Sequence, residues 1–290
     1  MSITAACICN SNGVFYFELR GFQIFKCQTC TLIFVSPRGN EFQIYDKDYF
    51  SGAVHGYGFV NYEEDKSASM GYLKKYLKWL KDLGIEKDAK LLDVGAANGF
   101  FVSLAEKKGL NATGIELSED AVDWAKKLGR KVFQSDAMSM SLSDKFDAIT
   151  VLDVLEHLSQ PEEFLRRVKV NLNTNGFLLI NVPNEGSLFA KLSGKSWHSY
   201  VPPEHLFYFN RKSLYSILSI NGYEVVKMRS ISKTFKASYI YKTIMHSPQI
   251  PVKLRKFLTI LDPLVNSKLG DLKIYLPLFD NLTVIAKVAK

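Results

Sequence analysis

Three acidic side chains and two glycines stand where a small, nitrogen-bearing ligand could be held. Leu91 to Phe101 read LLDVGAANGFF: a short apolar run of strand type, a turn bracketed by Gly95 and Gly99, then Phe100, Phe101, Leu104 and Ala105 at helical spacing up to Gly109. Strand, glycine turn and helix open a nucleotide-binding α/β fold, in which free backbone N–H groups and a helix N-terminus face the ligand. A dinucleotide is a poor match. Its pyrophosphate needs glycines at offsets 0, 2 and 5, whereas here they fall at 0 and 4 with Ala97 between them. Asp93, two residues before the first glycine, repels phosphate and suits an ammonium group. Glu116 ends the next apolar strand, where a carboxylate can take ribose hydroxyls. Asp136 follows the strand Lys131-Val-Phe-Gln, where it can accept from an exocyclic amine.

Ammonium, ribose and adenine without phosphate describe S-adenosylmethionine. The chain resembles the class I S-adenosylmethionine-dependent methyltransferases in five ordered pieces: LLDVGAANG, GIELS, SDA at 135–137, VLDVLEHL at 151–158 and GFLLINVPN at 176–184. GAANG stands where GxGxG is commoner, and alanine at 97 is small enough to keep the match. The resemblance implies an α/β, Rossmann-like sheet, mostly parallel with its last strand reversed. It places Gly95, Ala96, Asn98, Gly99, Leu117, Ala137 and Asp153 beside Asp93, Glu116 and Asp136 around the cofactor. Tyr57 and Tyr62, with Tyr49, are candidates for an aromatic flap over the sulfonium, which gains cation–π attraction beside a ring; ordinary packing is the alternative.

Four cysteines fall within the first thirty residues. Cys27-Gln-Thr-Cys30 has the knuckle spacing of zinc sites, whereas Cys7-Ile-Cys9 is one residue short and harder to aim at a tetrahedral ion. Aromatic strands at 14–19, 22–26 and 31–35 accompany the pairs, as in a zinc ribbon. A structural zinc and a degenerate ribbon with free buried thiols both remain open. A subset of class I enzymes carries such a segment before the core. It includes nucleotide-sugar C-methyltransferases and related small-molecule methyltransferases, usually with two C-x-x-C pairs.

Methyl transfer is an in-line displacement that needs an aligned nucleophile and a base when the nucleophile carries a proton. His205 lies in Val-Pro-Pro-Glu-His-Leu-Phe-Tyr-Phe, after the fifth core strand, with Glu204 beside it. The stretch is similar to the Glu-His-Leu-x-Tyr-Phe segment of the cysteine-bearing subset, where the Glu-His pair is in the active site. His205 as base and His205 as a loop-ordering residue stay open. His157, in Asp153-Val-Leu-Glu-His, borders the methionine end of the cofactor in the broad family and reads as position-holding before proton transfer. His198 is a further candidate for the acceptor side; His55 and His246 lack a recognisable context.

The elements must bring these residues together. Residues 1–40 are the cysteine segment, 41–87 a connecting loop and helix, and 88–290 the core. Met70, Leu73, Leu77 and Leu80 predict a helix over 67–83; Ser118 caps one over 119–128; Pro161, Glu162 and Glu163 open one over 161–172. Gly222–Met228 reads as a strand. Leu282, Val284, Ala286 and Val288 alternate as in an edge strand, while the resemblance makes that strand the reversed one inside the sheet. Residues 231–280 are then a basic, helical insertion. Apolar content of 47% over 290 residues supports a packed core. Ten of the thirty-seven Lys and Arg and only three Asp fall within 231–290, which therefore holds most of the net +8. Lys253, Arg255 and Lys256 beside Phe257, Leu258, Ile260 and Leu261 fit a solvated helix packed on the body, or one on an anionic membrane surface. No nucleic-acid motif accompanies the charge. No signal or membrane-span pattern is visible, so the cytoplasm is the expected compartment, with peripheral membrane contact as a second possibility. The expected acceptor is a small molecule, such as a nucleotide-linked sugar or glycan precursor. A lipid or quinone-like acceptor for O-methylation, and a non-catalytic cofactor-binding scaffold, are the alternatives.

Overall fold

The computed structural model describes residues 3–37, 70–139, 144–232, 234–246, 252–265 and 267–289. The chain begins with four antiparallel strands: β1 (Thr4–Ala6), β2 (Asn12–Leu19), β3 (Phe22–Cys27) and β4 (Ile33–Val35). Arg20 and Gly21, with φ of 54° and 80°, make the two-residue hairpin between β2 and β3; a primed turn of this kind matches the twist of its strands.

The core follows as α1 (Met70–Asp82), β5 (Lys90–Val94), α2 (Phe100–Glu106), β6 (Asn111–Glu116), α3 (Glu119–Lys127), β7 (Val132–Gln134), β8 (Phe146–Leu152), α4 (Pro161–Asn171) and β9 (Leu172–Pro183). Local signals set the helix ends. The Ser118 hydroxyl accepts from the Ala121 N–H at 3.3 Å, and Pro161 stands in the first turn of α4. Then come α5 (Leu188–Ser193), β10 (Phe207–Tyr208), α6 (Arg211–Ile220) and β11 (Tyr223–Ile231). A small unit made of β12 (Thr234–Lys236), α7 (Ala237–His246), α8 (Val252–Leu258), α9 (Asp262–Val265) and β13 (Lys273–Tyr275) precedes β14 (Asn281–Val288).

The main sheet has the order β11-β14-β9-β8-β5-β6-β7, parallel from β9 to β7, with β14 antiparallel to both of its neighbours. The alternation of β14 suggested an edge strand, and this is corrected: Asn281 to Ala286 are all buried, because helices and strands cover both faces. The polar members Asn281 and Thr283 stay inside because each has hydrogen-bond partners. One hydrophobic cluster joins the N-terminal sheet, α4, α6 and one face of the main sheet; a second lies on the other face under α1, α2 and α3. Strand β10 pairs with β4, Phe207 opposite Phe34 and Tyr208 opposite Ile33, so the cysteine-bearing sheet takes its fifth strand from the core.

Candidate active site

The glycine turn between β5 and α2 is a cradle that only small residues can line. Gly95, Ala97 and Gly99 have φ of 71°, 47° and 73°, the left-handed region that favours glycine. A side chain at Gly95 would collide with Val154. A Cβ at Gly114 would lie 2.5 Å from Ala96 Cβ, so β6 must be bare there for the turn to lie against it. The Gly95 and Ala96 N–H groups reach the Ile115 carbonyl at 2.9 and 3.0 Å.

Glu116 fastens this turn from the side. Its Oε2 accepts from the Ala97 N–H at 2.9 Å, and its Oε1 from the Leu117 and Ser118 N–H groups at 2.8 and 3.0 Å. A carboxylate has about four lone-pair sites, and with three of them used here Oε2 keeps one for a hydroxyl. Asp93 is 3% exposed and takes the Thr150 hydroxyl at 2.6 Å. Asp136 Oδ1 accepts the Met138 N–H at 2.8 Å, which shapes the turn carrying Ala137 after β7. Asn98 is buried, and its carbonyl takes the Arg130 guanidinium at 3.0 Å. Asp93, Glu116, Asp136 and Asp153 thus stand at or just beyond the C-terminal ends of β5, β6, β7 and β8, the ligand edge of an open α/β sheet. The cradle, the bare approach and the acidic acceptors fit S-adenosylmethionine. Tyr49, Tyr57 and Tyr62 lie outside the described residues, as does His55.

Sequence reasoning missed what holds Asp153. Its φ is 59°, and its Oδ1 accepts the Asn181 side-chain N–H at 2.5 Å. Asn181 in turn accepts from the Tyr76 hydroxyl at 2.8 Å and the Thr283 hydroxyl at 2.9 Å. This buried polar chain runs from α1 through β14 and β9 to the end of β8. The available signal was a polar residue inside each of two apolar strands, Asn181 in LLINV and Thr283 in NLTVI.

His157 and His205, forty-eight residues apart, meet edge to face with ring centroids 4.6 Å apart. Each Nδ1 lies 2.9 Å from a backbone carbonyl, Glu204 for His157 and Ser199 for His205. A carbonyl only accepts, so each Nδ1 carries the proton and each Nε2 keeps its lone pair. Burial lowers both pKa values: His157 below its ordinary 6.5, and His205 well below it, with His157 as its second cause. The Glu204 carboxylate acts in the other direction on His157, and Asp153 does so on both rings. Glu156, His157 and His205 bring donor atoms within 4.8 Å of one another, a set also suited to a cation.

The loop bearing His205 is clamped by packing. The Leu206 and Phe207 N–H groups reach the Glu156 carbonyl at 2.9 and 3.2 Å. Tyr200 packs at 5.2 Å on Trp197, 4.6 Å on Tyr208 and 5.4 Å on Phe17 of β2. The Tyr208 hydroxyl and the Trp197 indole N–H are buried without a partner among the described residues. His198 is 55% exposed at the side chain, 3.5 Å from Asp280, and packs against a tilted Phe189 ring and edge to face with Trp197. His246 ends α7.

The four cysteines converge, with donor atoms within 4.8 Å of one another. Sγ–Sγ distances are 3.6 Å for Cys7–Cys30 and 3.5 Å for both Cys7–Cys9 and Cys9–Cys27. A tetrahedron with zinc–sulfur bonds of ~2.3 Å has edges of about 3.8 Å, so the set is close to a zinc cage. The Cys30 N–H also points at Cys27 Sγ, 3.4 Å away. Crowding splits the thiols: a hydrogen bond from Cys7 lowers Cys30 to about 5, while burial pushes Cys9 up to about 11. The C-x-C pair closes the group because Asn10, at φ 60°, turns the chain back on itself, with the Asn10 N–H on the Cys7 carbonyl.

Fold and cradle together define a Rossmann-like, S-adenosylmethionine-dependent methyltransferase. The chain belongs to the methyltransferase domain family, which matches residues 70–228, more than half of its length. It is similar to the ubiquinone biosynthesis O-methyltransferase of Dechloromonas aromatica, 24% identical over 54% of this chain and 78% of the relative. That of Bordetella avium is 22% identical over 58% and 80%. Among solved structures, a SAM dependent methyltransferase from Archaeoglobus fulgidus superposes with a TM-score of 0.50 at 21% identity over 75% of this chain and 91% of its own. The YcgJ protein of Bacillus subtilis does so with 0.51 at 17% identity over 76% and 99%. At these identities the superpositions speak to fold.

Proposed function

We propose that this methyltransferase acts on a nucleotide-linked sugar or a similar glycan precursor, with His205 as the base that takes the acceptor's proton. The observation that carries the reading is the paired imidazoles with Nδ1–H committed to carbonyls. Their Nε2 lone pairs remain, and a base needs one. S-adenosylmethionine would supply the activated methyl group, and His205 Nε2 would take the proton that the acceptor atom gives up. His157 holds the His205 ring edge-on and keeps it neutral, because a second cation so close is unfavourable. Asp93, Glu116 and Asp136 receive the cofactor's ammonium, ribose and adenine. Cys7, Cys9, Cys27 and Cys30 hold a zinc ion that is structural, since four protein ligands leave no position for a reactant.

A second reading is O-methylation of a lipid or quinone-like acceptor. The names of the relatives and the exposed apolar face described below favour it. The deciding experiment supplies methyl-labelled cofactor with a panel of nucleotide-linked keto sugars, and separately with prenylated phenols, and locates the label in the product by NMR. Label on a sugar supports the first reading, and label on a phenol oxygen replaces it with the second. Cofactor binding without turnover on any acceptor, in panels or cell extracts, favours a scaffold.

A further inference from the structure

The unit between β11 and β14 is built inside out for a helix packed in water. Residues 252–265 run through α8, a 3₁₀ turn (Thr259–Leu261) and α9. Leu254, Phe257, Leu261 and Leu264 recur at three- and four-residue intervals, so they share one stripe with Ile260 at its border. That stripe faces out: Phe257 is 69% exposed, Ile260 70% and Leu264 51%. The opposite side turns inward, where the Tyr241 hydroxyl of α7 donates to the Leu258 carbonyl and to Asp262. The continuation is alike, with Leu269, Leu272 and Tyr275 each at least 58% exposed. Gly270 lets this stretch close tightly on the Val265 carbonyl, where no side chain would fit.

The exposed charge around the stripe is mostly positive. Lys253, Lys256, Lys268 and Lys273 are exposed, and Arg255 lies beside them. Of the two acids in the stretch, Asp262 takes the Tyr241 hydroxyl, and Asp271, although exposed, is paired with Lys236 at 2.9 Å. Contiguous exposed apolar side chains mark interaction sites. Ringed by lysine, this patch matches a surface that is apolar at depth and negative at its rim. No helix among the described residues is long and apolar enough to cross a membrane, so the unit would lie on the surface.

The geometry points to residues 252–275 as a docking surface for an anionic lipid bilayer, entered by Phe257, Ile260 and Leu264 and steered by the lysines. This inference is independent of which acceptor is methylated. The test is co-sedimentation of the full chain with vesicles of phosphatidylcholine alone or mixed equally with phosphatidylglycerol. Wild type should sediment with the mixed vesicles, release at high salt, and ignore the neutral ones. Phe257→Asp with Ile260→Asp should lower the partition about tenfold or more, through lost apolar insertion. Lys253→Gln with Lys256→Gln should lower it about tenfold or more, at roughly fivefold per charge. Unchanged S-adenosylmethionine affinity confirms that the variants fold. Failure of wild type to bind the mixed vesicles overturns the inference. So does sedimentation indifferent to both pairs of substitutions, or a self-associated wild type that ignores vesicles and is dispersed by Phe257→Asp, which would make a second copy the occupant.

Discussion

In the proposed mechanism His205 is the base, its ring oriented by the Ser199 carbonyl 2.9 Å from Nδ1. Replacing it by Asn removes the Nε2 lone pair and should lower turnover about 10²–10⁴-fold, with cofactor affinity nearly unchanged. Near-normal turnover would remove it from the mechanism and turn attention to His157. Because burial holds His205 well below 6.5, the rate should stay flat from neutral pH to about 6.5 and decline only below that. Stability has the same sign. The unfolded chain protonates these histidines near 6.5 before the folded one does, so stability is present above that value and is lost as pH falls toward the depressed folded pKa values. A urea midpoint that does not move between pH 7 and 5 in wild type would contradict this. Beside its proposed hold on the ribose, the Glu116 carboxylate ties down Ala97, Leu117 and Ser118. Glu116→Ala should weaken S-adenosylmethionine by about 1.5–3 kcal/mol, the scale of charged hydrogen bonds, and isothermal titration reads it directly.

Strands rather than residues transmit the effect of the cysteine group. The β4–β10 pairing and the Val35 N–H on the Leu206 carbonyl at 2.9 Å connect the cysteine sheet to the residue next to His205. Metal analysis of protein purified without chelator should find about one zinc per chain. Cys27→Ser should abolish it and reduce turnover more than cofactor affinity, because β10 lies beside the histidines while the glycine cradle stands on β5 and β6. Four titratable thiols and no metal would leave the degenerate ribbon. On the cradle side, Gly114→Ala puts a methyl 2.5 Å from Ala96. It should cost about 1–3 kcal/mol of stability, the usual penalty of overpacking, and weaken cofactor binding as the turn lifts. Chemical denaturation and calorimetry on one preparation separate the two effects.

Over the whole molecule, the Tyr76–Asn181–Asp153 chain links the second hydrophobic cluster to the site. Asn181→Leu would strip a hydrogen bond from Asp153 and leave the buried Tyr76 and Thr283 hydroxyls only each other, 3.0 Å apart. It should destabilise by about 1–3 kcal/mol in all. It should also lower turnover, since Asp153 is the acid that opposes the lowering of both histidine pKa values. A thermal midpoint within a degree of wild type would show the chain to be dispensable.

What could be read without coordinates was whatever neighbours along the chain decide. Gly95 and Gly99 mark a turn because φ near 70° is costly for other residues. Ser118 caps α3 because its hydroxyl meets a donor three residues on. Cofactor class followed from Asp93, Glu116 and Asp136, each tied to the end of a recognisable strand. Tertiary structure decided the rest, through contacts that no local pattern reports. It brought His157 to His205 and β4 to β10. It buried β14 in spite of its alternation and let a C-x-C pair join a C-x-x-C pair through the reversal at Asn10. It also turned the apolar stripe of 252–265 outward. Periodicity states that a face is apolar. Only the positions of the other elements determine whether that face meets a core or is left exposed.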